Sequence, residues 1–406
     1  MSGKTAEDIR SRMIYDEEKV PLYTLPDPLE QGKISNAKEW MRQRGKLLKL
    51  FSKNMYGDIL PRPQEISFEL LESGAAFDGL AERRQYLVCC SNNGESIRFT
   101  LLVYLPKARK GKVPAFLGLN FRGNHALTDD PGVLPARPSF LETRGVSRPI
   151  ADLENDPRNS QPERFCFKDM IQRGYAGATV FYCDIFPDHR EGFSESALKL
   201  FYSQEILNDP SKHTFGAITA WAWGLSRAMD CLEHIPEIDS RRIALHGHSR
   251  LGKTALWAAA CDTRFAMVIS NCSGEGGAAL SRRCFGENWE WLLHWRTYWF
   301  APELKKYICN ENALPFDQHQ LLALSAPRPL YVASATLDDG ADPKGEFLSL
   351  LNAGKVYRLF GVDAPQEMPI PDTPAGDFLR YHIRTGEHDM TRADWLNYLD
   401  FADMYL

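Results

Sequence analysis

The chain has no hydrophobic run near the ~18 to 20 residues that a membrane-spanning helix needs. Its first twenty residues, MSGKTAEDIRSRMIYDEEKV, hold no apolar segment of the kind that leads a secretory signal. A soluble protein with no targeting segment in the sequence as given is the expectation, with the compartment left open. C-x-x-C spacing is absent among the nine cysteines, an odd number spread from Cys89 to Cys309. A thiolate zinc or redox centre is therefore not expected, and most of these residues read as buried thiols. Internal repeats and low-complexity segments are missing too, and neither sign of charge dominates: 48 Lys and Arg stand against 53 Asp and Glu. The densest basic run, KARKGK from Lys107 to Lys112, contains a glycine and lies between two strand-like segments. It reads as a solvated hairpin turn rather than a nucleic-acid patch.

What remains is the composition of an ordinary globular protein, 44% hydrophobic and 25% charged, which disfavours collagen-like, coiled-coil and disordered classes. At 406 residues the chain can bury a large core, as one enlarged domain or two smaller ones. Residues 1–34 are polar, with a proline-rich PLYTLPDPLE, and read as an extended arm. Trp40, Leu47, Leu48, Leu50 and Phe51 recur at helical spacing behind Ser35, the expected cap. The runs ISFELL, RQYLVCC, IRFTLLVYLP and VPAFLGLN read as strands, antiparallel at first. About 40 residues follow, 121–165, with little periodicity; a loop of that length is read as functional. From about residue 113 apolar strands alternate with helical segments, including one near 216–234 and a terminal helix from Thr391. No linker divides the chain, so 35–406 reads as one domain with insertions at about 121–165 and 282–310. The expected class is α/β: three layers, with a mostly parallel central sheet and helices on both faces.

The strongest local signal is Ile243-Ala-Leu-His-Gly-His-Ser-Arg-Leu-Gly-Lys-Thr254, a buried strand running through a small-residue turn into a helix that begins near Gly252. In α/β-hydrolases such a turn lifts a serine above the sheet, with the next backbone N–H free to meet an oxyanion. The usual spacing is G-x-S-x-G; here the second glycine is displaced by one, to Gly252. Taken alone, Ser249 also fits an ordinary helix cap. Its partners, however, occur downstream in the order the fold uses: Asp338 after the strand LYVASAT, then His388 in GEHDMT. Serine is a weak nucleophile until a neutral imidazole takes its proton, and a carboxylate must hold that imidazole in the right tautomer. Arg250 is placed to give both its backbone N–H and its guanidinium to an oxyanion.

The run GHSRLGKTALWAAACDTRFAMVISNCSGEGGAALSRR resembles the nucleophile region of the bacterial glucuronoyl esterases, carbohydrate esterase family fifteen. TLPDPL, LGLNFRGNH, WAWGLSRAMD, RPLYVASA, ADPKGEFL and TGEHDMT extend the resemblance over nearly the whole chain. The resemblance implies a single α/β-hydrolase domain that cleaves esters between glucuronic acid branches of xylan and lignin alcohols. It implies Ser249 as nucleophile, His388 as base and Arg250 as oxyanion donor, with Lys253 and Glu287 on the sugar hydroxyls. Without it, Lys253 reads as a solvated helix charge. It implies no cofactor and no metal, and a glucuronoxylan or small uronate ester as partner; nucleic acid and membrane are not expected, and a monomer is.

Two positions depart from the family pattern. Many members carry the catalytic acid as a glutamate where this chain has Cys272; others place it where Asp338 stands, and Glu275 is a fallback. Members of this branch often carry a tryptophan at the position of Gly340. Other candidates are weaker. His246 and His248 are read as facing opposite sides of their strand, a poor metal pair. Asp342 reads as a helix cap. Trp289, Trp291, Trp295, Tyr298 and Trp299 form either a carbohydrate-stacking surface or loop packing, and Asn124 and His125 lie where a second oxyanion donor often arises. A deacetylating esterase on the same fold and a catalytically silent carbohydrate binder are the alternatives.

Overall fold

Nine strands form one sheet in the order β1-β2-β3-β7-β4-β8-β9-β10-β11 in the computed structural model, which describes residues 5–406. The strands are β1 (Glu65–Ala76), β2 (Ala81–Asn92), β3 (Glu95–Pro106), β4 (Val113–Asn120), the small hairpin β5 (Ser139–Thr143) and β6 (Val146–Ile150), β7 (Ala176–Phe181), β8 (Ile238–His248), β9 (Met267–Asn271), β10 (Leu330–Ala335) and β11 (Leu379–Arg384). The helices are α1 (Ala6–Arg10), α2 (Ala37–Phe51), α3 (Phe167–Gln172), α4 (Gln204–Leu207), α5 (Ala217–Leu232), α6 (Arg250–Cys261), α7 (Trp289–Trp295), α8 (Gln318–Ala323), α9 (Pro343–Tyr357) and α10 (Arg392–Tyr405).

Strands β1 to β3 are antiparallel, and β7, β4, β8, β9, β10 and β11 run parallel to one another. Every residue of β7, β9 and β10 is buried, which is why these segments are continuously apolar: helices cover both of their faces. Alternate residues of one strand feed two cores. Ile243 and Leu245 of β8 join the layer of α2, α5, α6, α8 and α9, whereas Ala244 joins Phe167, Trp395 and Phe401 from α3 and α10. Truncating Leu245 would cost about 2–5 kcal/mol, the range for a fully buried leucine. At the open end β1 is largely exposed, and Glu65, Glu69 and Glu72 discourage pairing with another chain along it.

Several expectations need correction. Asn36, not Ser35, caps α2; its side chain accepts from Glu39 N, because the turn starts one residue later. Leu48 and Leu50 are only partly buried, while Trp40, Leu47 and Phe51 form the inward stripe. Lys107–Lys112 is exposed but joins no hairpin, since β7 lies between β3 and β4. The 121–165 stretch contains the β5–β6 hairpin, whose strands are too short and too polar to show in the pattern. Helix α6 begins at Arg250, earlier than Gly252 suggested, and α8 gave no sequence signal. The N-terminal residues lie against the body of the protein: Glu17 pairs with Arg283 and Lys344, and Pro26 O accepts from the His319 ring.

Candidate active site

Strand β8 ends at His248 and α6 starts at Arg250, so Ser249 must turn the chain sharply between them. It does so at φ 56°, ψ −129°, a left-handed conformation that costs a non-glycine residue roughly 1–3 kcal/mol. The neighbouring glycines make that turn possible. A Cβ on Gly247 would lie 2.0 Å from Leu251 O, and one on Gly252 would lie 3.0 Å from the Ser273 Cβ. Gly252 thus permits the close helix approach that the usual second glycine permits one residue earlier. Ser249 N donates to Asn271 O at 2.9 Å, tying the bend to β9.

His388 and Asp338 meet, as their order in the sequence predicts. Nδ1–H of His388 donates to Asp338 Oδ2 at 2.6 Å, a tautomer that leaves Nε2 free as a base. Asp338 follows β10 and is almost wholly buried, while the His388 side chain keeps 45% of its exposure and is open to the cavity. The loop carrying His388 is held by Arg384, which donates to Glu387 O and Asp389 O and is braced by the buried Asp394 at 2.9 Å. Beneath it, the His248 ring lies 4.6 Å from the His388 ring; burial, then the nearby Arg164, keeps His248 neutral.

Arg250 lies over the rings of Trp299 and Phe121, at 4.8 and 5.4 Å from their centroids. Its Nη1 donates to Asp188 Oδ2 at 2.6 Å, and its buried Nε has no hydrogen-bond partner. Asp188 was not legible from sequence, since it sits in the 182–196 connection with no motif around it. It is fully buried and also accepts from Tyr182 Oη, Tyr298 Oη and Trp299 Nε1 at 2.8–2.9 Å. Burial alone would raise its pKa, but Arg250, Arg296 and these donors hold it below the usual range.

Ser249, Arg250, Lys253, Glu287, Asp338 and His388 all line one cavity of about 300 Å³. Lys253 is buried, not solvated, and its Nζ donates to Ser273 O. Burial lowers its pKa, while Glu287, Glu275 and Glu346 oppose that shift. Cys272 stands in the same wall with its thiol deeply buried. Gly340 also lines the cavity, and a Cβ there meets nothing closer than 3.8 Å.

The fallback acid is not brought to the imidazole. Glu275 accepts from Ser281 Oγ at 2.5 Å, faces Asp317 and Glu311, and does not line the cavity; burial drives its carboxyl well above the usual range. His246 and His248 share a face, because residues two apart on a strand point the same way. Both border a small void with Arg164 and Phe165. The aromatic cluster divides: Trp291, Trp295 and Trp299 line the cavity, while Trp289 and Tyr298 are buried in packing. Asn124 and His125 are buried with internal partners and do not line it. Asp342 does cap a helix, accepting from Gly345 N at 2.9 Å and pairing with Arg283. Thr143 and Arg144, at the tip of the β5–β6 hairpin, reach the cavity without having been foreseen.

A parallel sheet with a strained serine at a strand-to-helix turn and a histidine–aspartate pair facing the same cavity is the architecture of the α/β-hydrolase enzymes. Residues 199–361 match the family model described as glucuronyl esterase, fungi. Carbohydrate esterase MZ0003, from an unknown prokaryotic organism, is 41% identical over 402 residues, 97% of this chain and 92% of that relative. The solved glucuronoyl esterase from Solibacter usitatus is 42% identical, covers 96% of this chain and 99% of its own, and superposes with a TM-score of 0.87. A promiscuous family-fifteen esterase from a marine bacterial metagenome gives the same TM-score at 40% identity, over 97% of this chain and all of that one. The chain belongs to the glucuronoyl esterases of carbohydrate esterase family fifteen, which are carboxylic ester hydrolases.

Proposed function

We propose that this esterase cleaves the bond between the (4-O-methyl-)glucuronic acid of glucuronoxylan and lignin alcohols through an acyl-enzyme on Ser249. The observation that carries the reading is the convergence of Ser249, the His388–Asp338 pair, Arg250 and Lys253 on one cavity. His388 Nε2 takes the proton of Ser249 as its oxygen attacks the ester carbonyl, and Asp338 steadies the imidazolium. The Arg250 backbone N–H, at the start of α6, and its guanidinium face the oxyanion; a donor of this kind is worth about 3–4 kcal/mol. The alcohol leaves with the proton from His388, and water repeats the sequence on the acyl-enzyme, releasing the uronate. Lys253 and Glu287 hold sugar hydroxyls, so the acyl part of the substrate sits over α6 and beside Gly340. Residues 35–406 work as one domain, and the protein acts as a monomer.

The test is release of acid from a benzyl or methyl glucuronate ester by the wild type, Ser249→Ala and Asp338→Asn. Turnover is expected in the wild type, none on Ser249→Ala, and a loss on the order of 10³ to 10⁴ in kcat for Asp338→Asn, which favours the wrong tautomer. Hydrolysis of acetylated xylan with uronate esters untouched would overturn the substrate assignment.

A further inference from the structure

One group of metal-ligating side chains stands out among the described residues: Cys272, Asp338 and His388 offer a sulfur, an oxygen and a nitrogen that all lie within 4.8 Å of one another. Zinc takes sulfur at ~2.3 Å and nitrogen or oxygen at ~2.0–2.2 Å, so tetrahedral ligand atoms lie roughly 3.3–3.6 Å apart. Nδ1 of His388 and Oδ2 of Asp338, 2.6 Å apart in their hydrogen bond, must part to reach that spacing. The thiol is fixed from behind, because Cys272 N donates to Ala333 O at 2.7 Å while its own φ is 46°, and Sγ has only a long contact of 3.9 Å to Asp389 O. His388, by contrast, keeps enough exposure to turn. The carboxylates of Glu346 and Asp338 bear on the thiol electrostatically. Two nearby guanidiniums are already paired, Arg384 with Asp394 at 2.9 Å and Arg164 with Asp389 at 2.8 Å. The three residues line the cavity that also holds Ser249, so an incoming ion reaches them from it.

We propose that Cys272, Asp338 and His388 form a binding site for a soft divalent cation, Zn²⁺ or Cd²⁺, whose occupancy shuts off ester turnover. On binding, a metal–sulfur bond replaces the S–H bond, whose proton passes to solvent; the His388–Asp338 hydrogen bond opens, the imidazole proton moves from Nδ1 to Nε2, and Nδ1 gives its lone pair to the metal, so that Nε2 can no longer deprotonate Ser249. No electron moves, and chelation reverses the step. A carboxylate in place of Cys272 would offer a harder ligand, so the thiol is what turns the preference toward soft ions. Binding itself does not depend on the esterase reading; only the loss of turnover rests on it.

The experiment uses the full chain with Cys309→Ser, which removes the exposed thiol. Cd²⁺ is titrated into this protein and into the same protein with Ser249→Ala, following the ultraviolet charge-transfer absorption of a cadmium–thiolate bond. One equivalent is expected to bind in both, and in the active form the fall in turnover should track the absorption and be reversed by a chelator. Cys272→Ser should abolish the band and raise the metal concentration for half-inhibition, relative to its own uninhibited rate, by more than about tenfold, since even an outer partner of a metal ligand is worth ~10- to 100-fold. Should Cys272→Ser fail to fold, His388→Gln, at an exposed position, must weaken cadmium binding by the same margin. An unchanged band and affinity in Cys272→Ser or His388→Gln, or no cadmium bound in the Ser249→Ala protein, would overturn the site.

Discussion

Asp188 decides where Arg250 can act. With four donors converging on a fully buried carboxylate, the guanidinium has one stable position, against the aromatic wall of the cavity and next to Ser249. Asp188→Asn removes the charge but keeps the size. It leaves Arg250 buried without a counter-ion, a change that costs about 3–5 kcal/mol when a buried pair is broken. We expect a fall in thermal stability together with a fall in kcat of at least about 100-fold, the scale of one lost oxyanion donor; steady-state kinetics beside a melting curve will separate the two. Gly340 is the opposite case, a position with space to spare. Gly340→Trp should bring an aromatic face to the sugar, lowering KM for glucuronate esters several-fold, about 0.5–1.5 kcal/mol of added contact, with kcat nearly unchanged. A raised KM would mean that the side chain blocks the cavity instead.

Among the elements, the β5–β6 hairpin supplies part of the cavity wall. Its tip places Arg144 in the cavity wall, 5.9 Å above the Trp291 ring of α7, so two insertions far apart in sequence close one side of the site together. Arg144→Ala should leave stability within about 0.5 kcal/mol, as for most surface changes, and raise KM for the uronate ester with little effect on kcat. Michaelis kinetics on a small ester and on a glucuronoxylan-linked one will show whether the loss grows with substrate size. The loop after β9 depends on α9 in a different way. Glu346 accepts from Ser273 N and Gly274 N at 2.8 and 2.9 Å, and so fixes the carbonyl that receives Lys253.

Across the whole molecule, histidines buried in the neutral form set part of the acid sensitivity. His246 is packed among Phe116, Phe165 and Trp395 with neither ring nitrogen hydrogen-bonded, and burial pushes it down to about 3. Its folded pKa is depressed below the unfolded value, so its contribution is fully present above about pH 6.5 and is lost as pH falls toward 3. The loss is on the order of 1.4 kcal/mol per pH unit once the unfolded ring is protonated. Glu346, pushed up to about 7 by burial, works in the opposite sense, gaining as pH falls below 7. The informative quantity is therefore a difference: between pH 6.5 and pH 4, His246→Phe should lose less stability than the wild type, measured as the change in melting temperature of each protein against itself.

The strand pattern from 113 onward, the helices and the turn at Ser249 were legible because burial on both faces and a strand-to-helix bend leave local marks: apolar runs, period-3.6 stripes and glycines at close approaches. That Ser249, Asp338 and His388 come to one cavity was legible from their order along the chain, since strand ends of a parallel sheet meet on one edge. Asp188 and the β5–β6 hairpin left no such mark. Each depends on what the rest of the chain brings beside it: a carboxylate is only a counter-ion once Arg250 arrives, and a short polar hairpin shows itself only where its tip reaches a cavity. The sequence by itself determined the fold class, the strand-to-helix turn at Ser249 and the family resemblance. The tertiary structure decided which acid meets His388 and what holds Arg250, because those are distances between segments 50 to more than 60 residues apart.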